Sequence, residues 1–121
     1  MFHEHEAERG LMYAEEQVTF FGHTHVQGGF IGEPQWRSYD VTRLNILPRQ
    51  MALRPDKTYL LNPGAVGQPR DGDARAAYCV YDSTAQVVEF HRVIYDIRSV
   101  QEKMLAFGLP EELVLRLASG D

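Results

Sequence analysis

Val18-Thr19-Phe20-Phe21-Gly22-His23-Thr24-His25 is the stretch on which the reading of this sequence turns. Its first four residues are β-branched or aromatic, which predicts a short buried strand over 17–21. The strand ends on Gly22, whose missing Cβ permits backbone angles that other residues avoid. Two imidazoles follow, one threonine apart. A tight loop after a strand can aim both at one pocket, each at its own metal ion. Two histidines alone do not complete a catalytic metal site, which needs about three protein ligands and an open position.

Downstream, the residues alternate between short extended runs and turn signals. The segment 26–31 leaves the loop for a second extended piece. Glu33-Pro34 marks a turn, and 36–46 alternates well enough to predict a strand, interrupted by Pro48. Met51-Ala52-Leu53 reads as a sheet-edge segment, Pro55-Asp56 as a turn, and 57–61 as a strand. Asn62 to Asp73 is then a long loop dense in Gly and Pro. Loops of this kind between strands are where sites are often built. Its glycines allow close approach to a ligand, and Arg70 can grip an anionic oxygen pair. A structural turn carrying a surface arginine is the competing account. Runs at 76–82 and 86–95 predict a hairpin around Ser83-Thr84-Ala85. In its second strand Val88, Phe90 and Ile94 share one face, and His91 lies on the other with Glu89 and Val93, as a surface or cross-strand residue.

Two helices close the chain. Asp96 is a good N-cap for Ile97, Val100 and Met104 at helical spacing, and Gly108 is a natural stop. Pro110 in a first turn, followed by Glu111 and Glu112, opens a last helix with Leu113 and Leu117 on one face. Upstream, 1–16 reads as a helix with Phe2, Ala7 and Leu11 on one face. In His3-Glu4-His5-Glu6 the i, i+2 spacing points the imidazoles apart, so this is a solvated face rather than a ligand set.

Composition narrows the function classes. The chain has 121 residues and a net charge of −5, which argues against binding along a nucleic-acid backbone. Ten arginines stand against two lysines, Lys57 and Lys103. That bias suits bidentate contact with phosphate or carboxylate, and it equally suits a GC-rich genome or a hot habitat. Cys79 is the single cysteine, so no intrachain disulfide forms and the cytoplasm is the expected compartment. Cys79 sits in a core-strand pattern as a small hydrophobe. No apolar run approaches the ~20 residues of a membrane span, and no signal peptide is evident.

Gly22-His23-Thr24-His25-Val26-Gln27 together with Asn62-Pro63-Gly64-Ala65-Val66-Gly67-Gln68-Pro69-Arg70-Asp71-Gly72 resembles the C-terminal part of a calcineurin-like metallophosphoesterase, of the small prokaryotic phosphodiesterase type. The tail through Tyr95-Asp96, Gly108-Leu109-Pro110-Glu111 and Arg116-Leu117 fits as well. The resemblance implies an α/β fold, part of an α/β/β/α sandwich, comprising mainly the C-terminal sheet with flanking helices. It implies residues 1–121 as a single partial domain. It implies two divalent metals, drawn from Mn, Zn, Fe and Mg, with His25 on the first and His23 on the second. Arg70 and Asn62 would serve substrate binding or support of the pocket, and Ala65 stands where a serine is common in the family.

The departures are as informative. Asp-X-His, Gly-Asp-X-X-Asp and Gly-Asn-His, which carry the bridging carboxylate and most ligands in that family, are missing from the sequence. The expectation is a metal-dependent phosphoesterase acting on phosphomonoesters or phosphodiesters, in which this chain supplies only the Gly-His-Thr-His ligands and the C-terminal loop. Alone it would be inactive, and its partners would be a phosphate-ester substrate and either the N-terminal half of the domain or a second copy of itself. The alternative is a non-catalytic interaction module or oligomer that kept the fold without most of the metal site.

Overall fold

The computed structural model describes residues 3–121. Its element order is α1 (Glu4–Tyr13), β1 (Val18–Phe20), β2 (Gly28–Gln35), β3 (Ser38–Arg43), β4 (Gln50–Ala52), β5 (Thr58–Asn62), β6 (Ala76–Asp82), β7 (Val87–Val93), α2 (Ile97–Ala106) and α3 (Glu111–Ser119). Seven strands form two sheets, ordered β1-β5-β2-β3 and β4-β7-β6. The α/β two-sheet architecture with flanking helices is the one expected.

Strand β5 explains why the layers stack as they do. Its successive residues Tyr59, Leu60, Leu61 and Asn62 are all buried, so both faces of the strand are covered, which strands of a one-sided sheet are not. Tyr59 and Leu61 point into the gap between the sheets, where they join Met51, Leu53, Val88 and Phe90. Leu60 points the other way, into a second core with Ala7 and Leu11 of α1 and with Phe30. Burying a side chain such as Leu61 fully is worth roughly 1.5–3 kcal/mol. The Tyr59 hydroxyl accepts the Arg54 N–H at 2.8 Å, so its burial leaves no polar group stranded.

Helix α1 is shorter than the 1–16 span expected. It begins after His3, whose N–H donates to the Glu6 carboxylate at 2.8 Å, and its anchors are the buried Ala7 and Leu11. Phe2, assigned to the same face from sequence, lies outside the described residues. Glu4, His5 and Glu6 are exposed, in keeping with a solvated face.

The turn expected at Glu33-Pro34 is displaced. Both residues lie inside β2, opposite Asp40 and Tyr39, and the chain reverses at Trp36-Arg37, with Arg37 at φ 64°. Proline fits there because pairing of β2 to β5 has already ended at Gly32, leaving one side of the strand without a partner that needs an N–H. Ile94 is likewise corrected. It lies beyond the end of β7 and is 82% exposed, while Val88 and Phe90 are buried as expected. His91 proves to be a cross-strand residue, stacked on Tyr78 with ring centroids 4.8 Å apart and 2.8 Å from the Glu89 carboxylate. Asp96 caps α2 by accepting the Ser99 N–H at 3.1 Å. Pro110 is the N-cap of α3 rather than a first-turn residue.

Candidate active site

The site is a loop hung from the end of β1 and faced by the long loop after β5. β1 runs parallel to β5, and the ladder continues one step further through the Phe21 N–H to the Leu61 carbonyl at 2.9 Å. The chain then folds sharply, the Thr24 N–H donating to the Gly22 carbonyl at 3.0 Å. The unusual backbone angles do not fall on Gly22, contrary to the sequence expectation. They fall on the histidines: His23 has φ 76° and His25 φ 60°. An L-residue in this region costs roughly 1–2 kcal/mol through crowding of its Cβ. Two such residues in one four-residue loop mark strain of the kind that collects at functional sites.

The surrounding contacts hold this strain in place. The His25 Nδ1 lies 2.8 Å from the Gln68 carbonyl oxygen, and the His25 carbonyl accepts the Arg70 N–H at 3.0 Å. A carbonyl only accepts, so Nδ1 carries the proton and the lone pair of the neutral ring sits on Nε2. A carbonyl on one ring nitrogen is a common way to fix the tautomer of a metal-ligating histidine. Asn62 is 1% exposed; its Nδ2 donates to the Thr24 hydroxyl at 2.9 Å and its Oδ1 accepts the Gly64 N–H at 2.9 Å. The Thr24 oxygen also accepts the Val26 N–H at 3.3 Å.

An open cavity of about 570 Å³ is lined by His23, Thr24, Asn62, Arg70 and Asp71 together with Phe21, Phe30, Arg43 and Leu44. Three of the four residues singled out from sequence, His23, Asn62 and Arg70, therefore meet in one cavity. His25 is not among the lining residues; its ring meets the Gln68 carbonyl. Arg70 is exposed and its guanidinium donates to the neutral Gln68 Oε1 at 3.3 Å. Asp71, the carboxylate at the cavity wall, is paired with Arg92 of β7.

Two residues at this site were not assigned a role from sequence. Gln27 is buried, with its Nε2 3.2 Å from the carbonyl oxygens of Pro63, Tyr78 and His91. Arg92 falls on the inward alternation of Val88 and Phe90, and a charged residue at an inward position was the signal available for it. Cys79 packs beside the inter-sheet core, and burial pushes its thiol up to about 11, a structural cysteine rather than a nucleophile.

The donor set fits divalent metals in part. Imidazole nitrogens suit borderline metals such as Zn and Fe, and His25 presents a bare Nε2. No cluster of three or more His, Cys, Asp or Glu side chains able to hold a metal exists among the described residues. These residues can contribute ligands to a metal site without completing one.

Comparison with known proteins bears on the fold. No protein-family profile matches the chain. The crystal structure of a metallophosphoesterase from Sphaerobacter thermophilus matches with a TM-score of 0.84 and 38% sequence identity, covering 100% of this chain and 49% of that one. An uncharacterized protein of Methanocaldococcus jannaschii is 40% identical over 103 residues, 85% of this chain and 39% of its own length. The chain has a metallophosphoesterase-type fold. It spans less than half the length of either protein. No helix among the described residues is long and apolar enough to cross a membrane.

Proposed function

We propose that the chain is the C-terminal part of a metal-dependent phosphoesterase, hydrolysing a phosphomonoester or phosphodiester, with His25 and His23 as ligands to two divalent metals. The observation that carries this reading is the His25 Nδ1 contact to the Gln68 carbonyl, which leaves Nε2 as the free donor. Divalent metals supply Lewis-acid polarisation of phosphoryl oxygens. The remaining ligands come, on this reading, from polypeptide outside these residues, in a longer chain or a separate one. Mn, Zn, Fe and Mg remain the candidates.

The chain's own residues have distinct tasks. His23, exposed on the cavity wall, holds its imidazole toward the substrate side. Arg70, with no carboxylate partner among the described residues, receives a non-bridging oxygen pair of the phosphate through its planar fork. Asn62 supports the site by holding Thr24, and with it the spacing of the two histidines. Asp71 does not repel the anion because Arg92 neutralises it. A cytoplasmic location is proposed from the unpaired cysteine.

The test has two parts. Titrating Mn²⁺ into the chain should broaden the imidazole signals of His23 and His25 well before those of His3, His5 and His91; equal broadening of all five would remove the ligand assignment. The chain alone should turn over p-nitrophenyl phosphate and bis-p-nitrophenyl phosphate weakly with Mn²⁺. Co-expression with a segment carrying Asp-X-His, Gly-Asp-X-X-Asp and Gly-Asn-His should restore turnover that His25→Ala abolishes.

A further inference from the structure

Arg92 of β7 hydrogen-bonds four groups at once, and its Nε also lies 3.8 Å from the Asp73 carboxylate. Its Nε donates to the Gln27 Oε1 at 3.2 Å, and its Nη1 to the carbonyls of Arg75 at 3.2 Å and Asp73 at 3.4 Å. Its Nη2 donates to the Asp71 carboxylate. The guanidinium is largely enclosed, its side chain 13% exposed and that of Asp71 15%. The same Asp71 oxygen accepts the Gln27 N–H at 3.2 Å. One rigid fork thus ties the start of β2 to the far half of the 63–75 loop.

The tie bears on His25 by adjacency. His25 and Gln27 on one segment face Arg70 and Asp71 on the other, through the Arg70 N–H to His25 carbonyl bond and the Gln27 N–H to Asp71 bond. Gln68, which holds the His25 ring, lies three residues from Asp71. The loop between β5 and β6 carries Gly64, Gly67 and Gly72, which leave it freer than its Pro63 and buried Pro69 alone would make it. Without Arg92 the 68–72 segment would keep the Arg70 and Gln68 contacts to His25, the Gln27 N–H to Asp71 bond, the buried Pro69 and the Gly72 N–H to Gly120 carbonyl bond at 2.9 Å, but would lose its charged tie to β7. The Asp71 carboxylate would also face the cavity uncompensated.

We propose that Arg92 is a positioning residue: through Asp71 and Gln27 it fixes the Gln68 carbonyl against His25 Nδ1, and so sets which ring nitrogen of His25 faces outward. The metal consequence rests on the phosphoesterase reading above; the tautomer consequence does not. A lysine would not substitute, because an ammonium cannot serve this planar set of acceptors.

The test is made on the whole chain. In metal-free, ¹⁵N-labelled protein, long-range proton–nitrogen correlation should report His25 as the Nδ1–H tautomer. In Arg92→Gln the His25 signals should shift to a tautomer mixture while those of His91 stay fixed. Zn²⁺ affinity by calorimetry should fall about tenfold, the scale of losing support behind a ligand. Asp71→Asn, which keeps the shape and weakens the Arg92 contact, should act in the same direction and serves if Arg92→Gln does not fold. Arg75→Gln, at an exposed guanidinium, should leave both readouts unchanged. Folded Arg92→Gln and Asp71→Asn proteins that retain the Nδ1–H tautomer, whatever their melting temperatures, would overturn the proposal. Equal Zn²⁺ binding by wild type and His25→Ala would remove the metal reading instead, with the tautomer result still deciding the role of Arg92.

Discussion

The Asn62 side-chain amide donates to the Thr24 hydroxyl at 2.9 Å, and this bond joins the end of β5 to the middle of the two-histidine loop. Its other atom, Oδ1, caps the Gly64 N–H. Asn62→Ala removes the acceptor of the Gly64 N–H and one of the two partners of the Thr24 hydroxyl in a part-buried setting, where each lost partner costs about 1–3 kcal/mol. The expected outcome is a drop of about 2–4 kcal/mol in urea unfolding with m unchanged. Asn62→Asp loses the donor to Thr24 and also buries a carboxylate, so at neutral pH it should destabilise at least as much as Asn62→Ala.

His23→Gly should stabilise the chain by about 1 kcal/mol, because glycine takes φ 76° without the Cβ crowding that histidine bears. The same substitution removes a proposed metal ligand. Stability gained with metal binding lost would identify the strain as maintained for function. Gly22→Ala is the companion: nothing lies within 4 Å of a Cβ built there and its φ is not positive, so stability should move by less than about 0.5 kcal/mol.

Gly29 is the opposite case. A Cβ there would lie 2.2 Å from the Leu60 carbonyl oxygen, inside the β2–β5 ladder. Gly29→Ala must push two paired backbones apart. We expect a chain that is largely unfolded at 25 °C by circular dichroism.

Asp73 sets part of the acid response. The Arg75 guanidinium hydrogen-bonded to it holds its carboxyl at about 2, with Arg92 adding to the effect and burial opposing it. A carboxyl depressed in the folded state contributes stability that is present above its ordinary value of 3.8 and lost as pH falls toward 2. Asp73→Asn should therefore flatten the stability profile between those two values and leave it unchanged in slope at neutral pH. Proton titration followed at the Asp73 carboxyl carbon gives the direct check.

The edge of β1 predicts association. β1 pairs with β5 alone among the described strands, and β6 is the edge of the other sheet. Phe20 of β1, 41% exposed, meets Tyr81 of β6 with ring centroids 5.9 Å apart. The open sides of both sheets thus lie together, with aromatic surface between them, and unpaired edges of this kind recruit other strands. We expect dimers in sedimentation equilibrium at micromolar concentrations, reduced by Phe20→Lys. A monomer across the whole concentration range would contradict the proposed self-association.

The strands were largely legible because their signals are local. β-branched and aromatic runs placed β5 within a residue, and Asp96 announced α2 by its own side chain. The Pro34 turn misled because proline was judged without its neighbours: whether a missing N–H matters depends on where β5 stops pairing with β2. Ile94 was misplaced for the same reason, since periodicity does not say where a strand ends.

For the site, the sequence by itself determined the chemistry available: two imidazoles one residue apart, an arginine in a Gly- and Pro-rich loop, and the lack of companion ligand motifs. Only the tertiary structure decided how those groups are used. It placed the strained angles on His23 and His25 rather than on Gly22, turned the His25 Nδ1 to the Gln68 carbonyl, and put Asn62 under Thr24. It also set Arg92, distant in sequence, behind the loop that carries Arg70. The reason is physical. The side-chain types fix what bonds can form, but the tautomer, strain and charge balance of this loop are set by hydrogen bonds spanning 21 to 65 residues of chain, which exist only once the two sheets have packed.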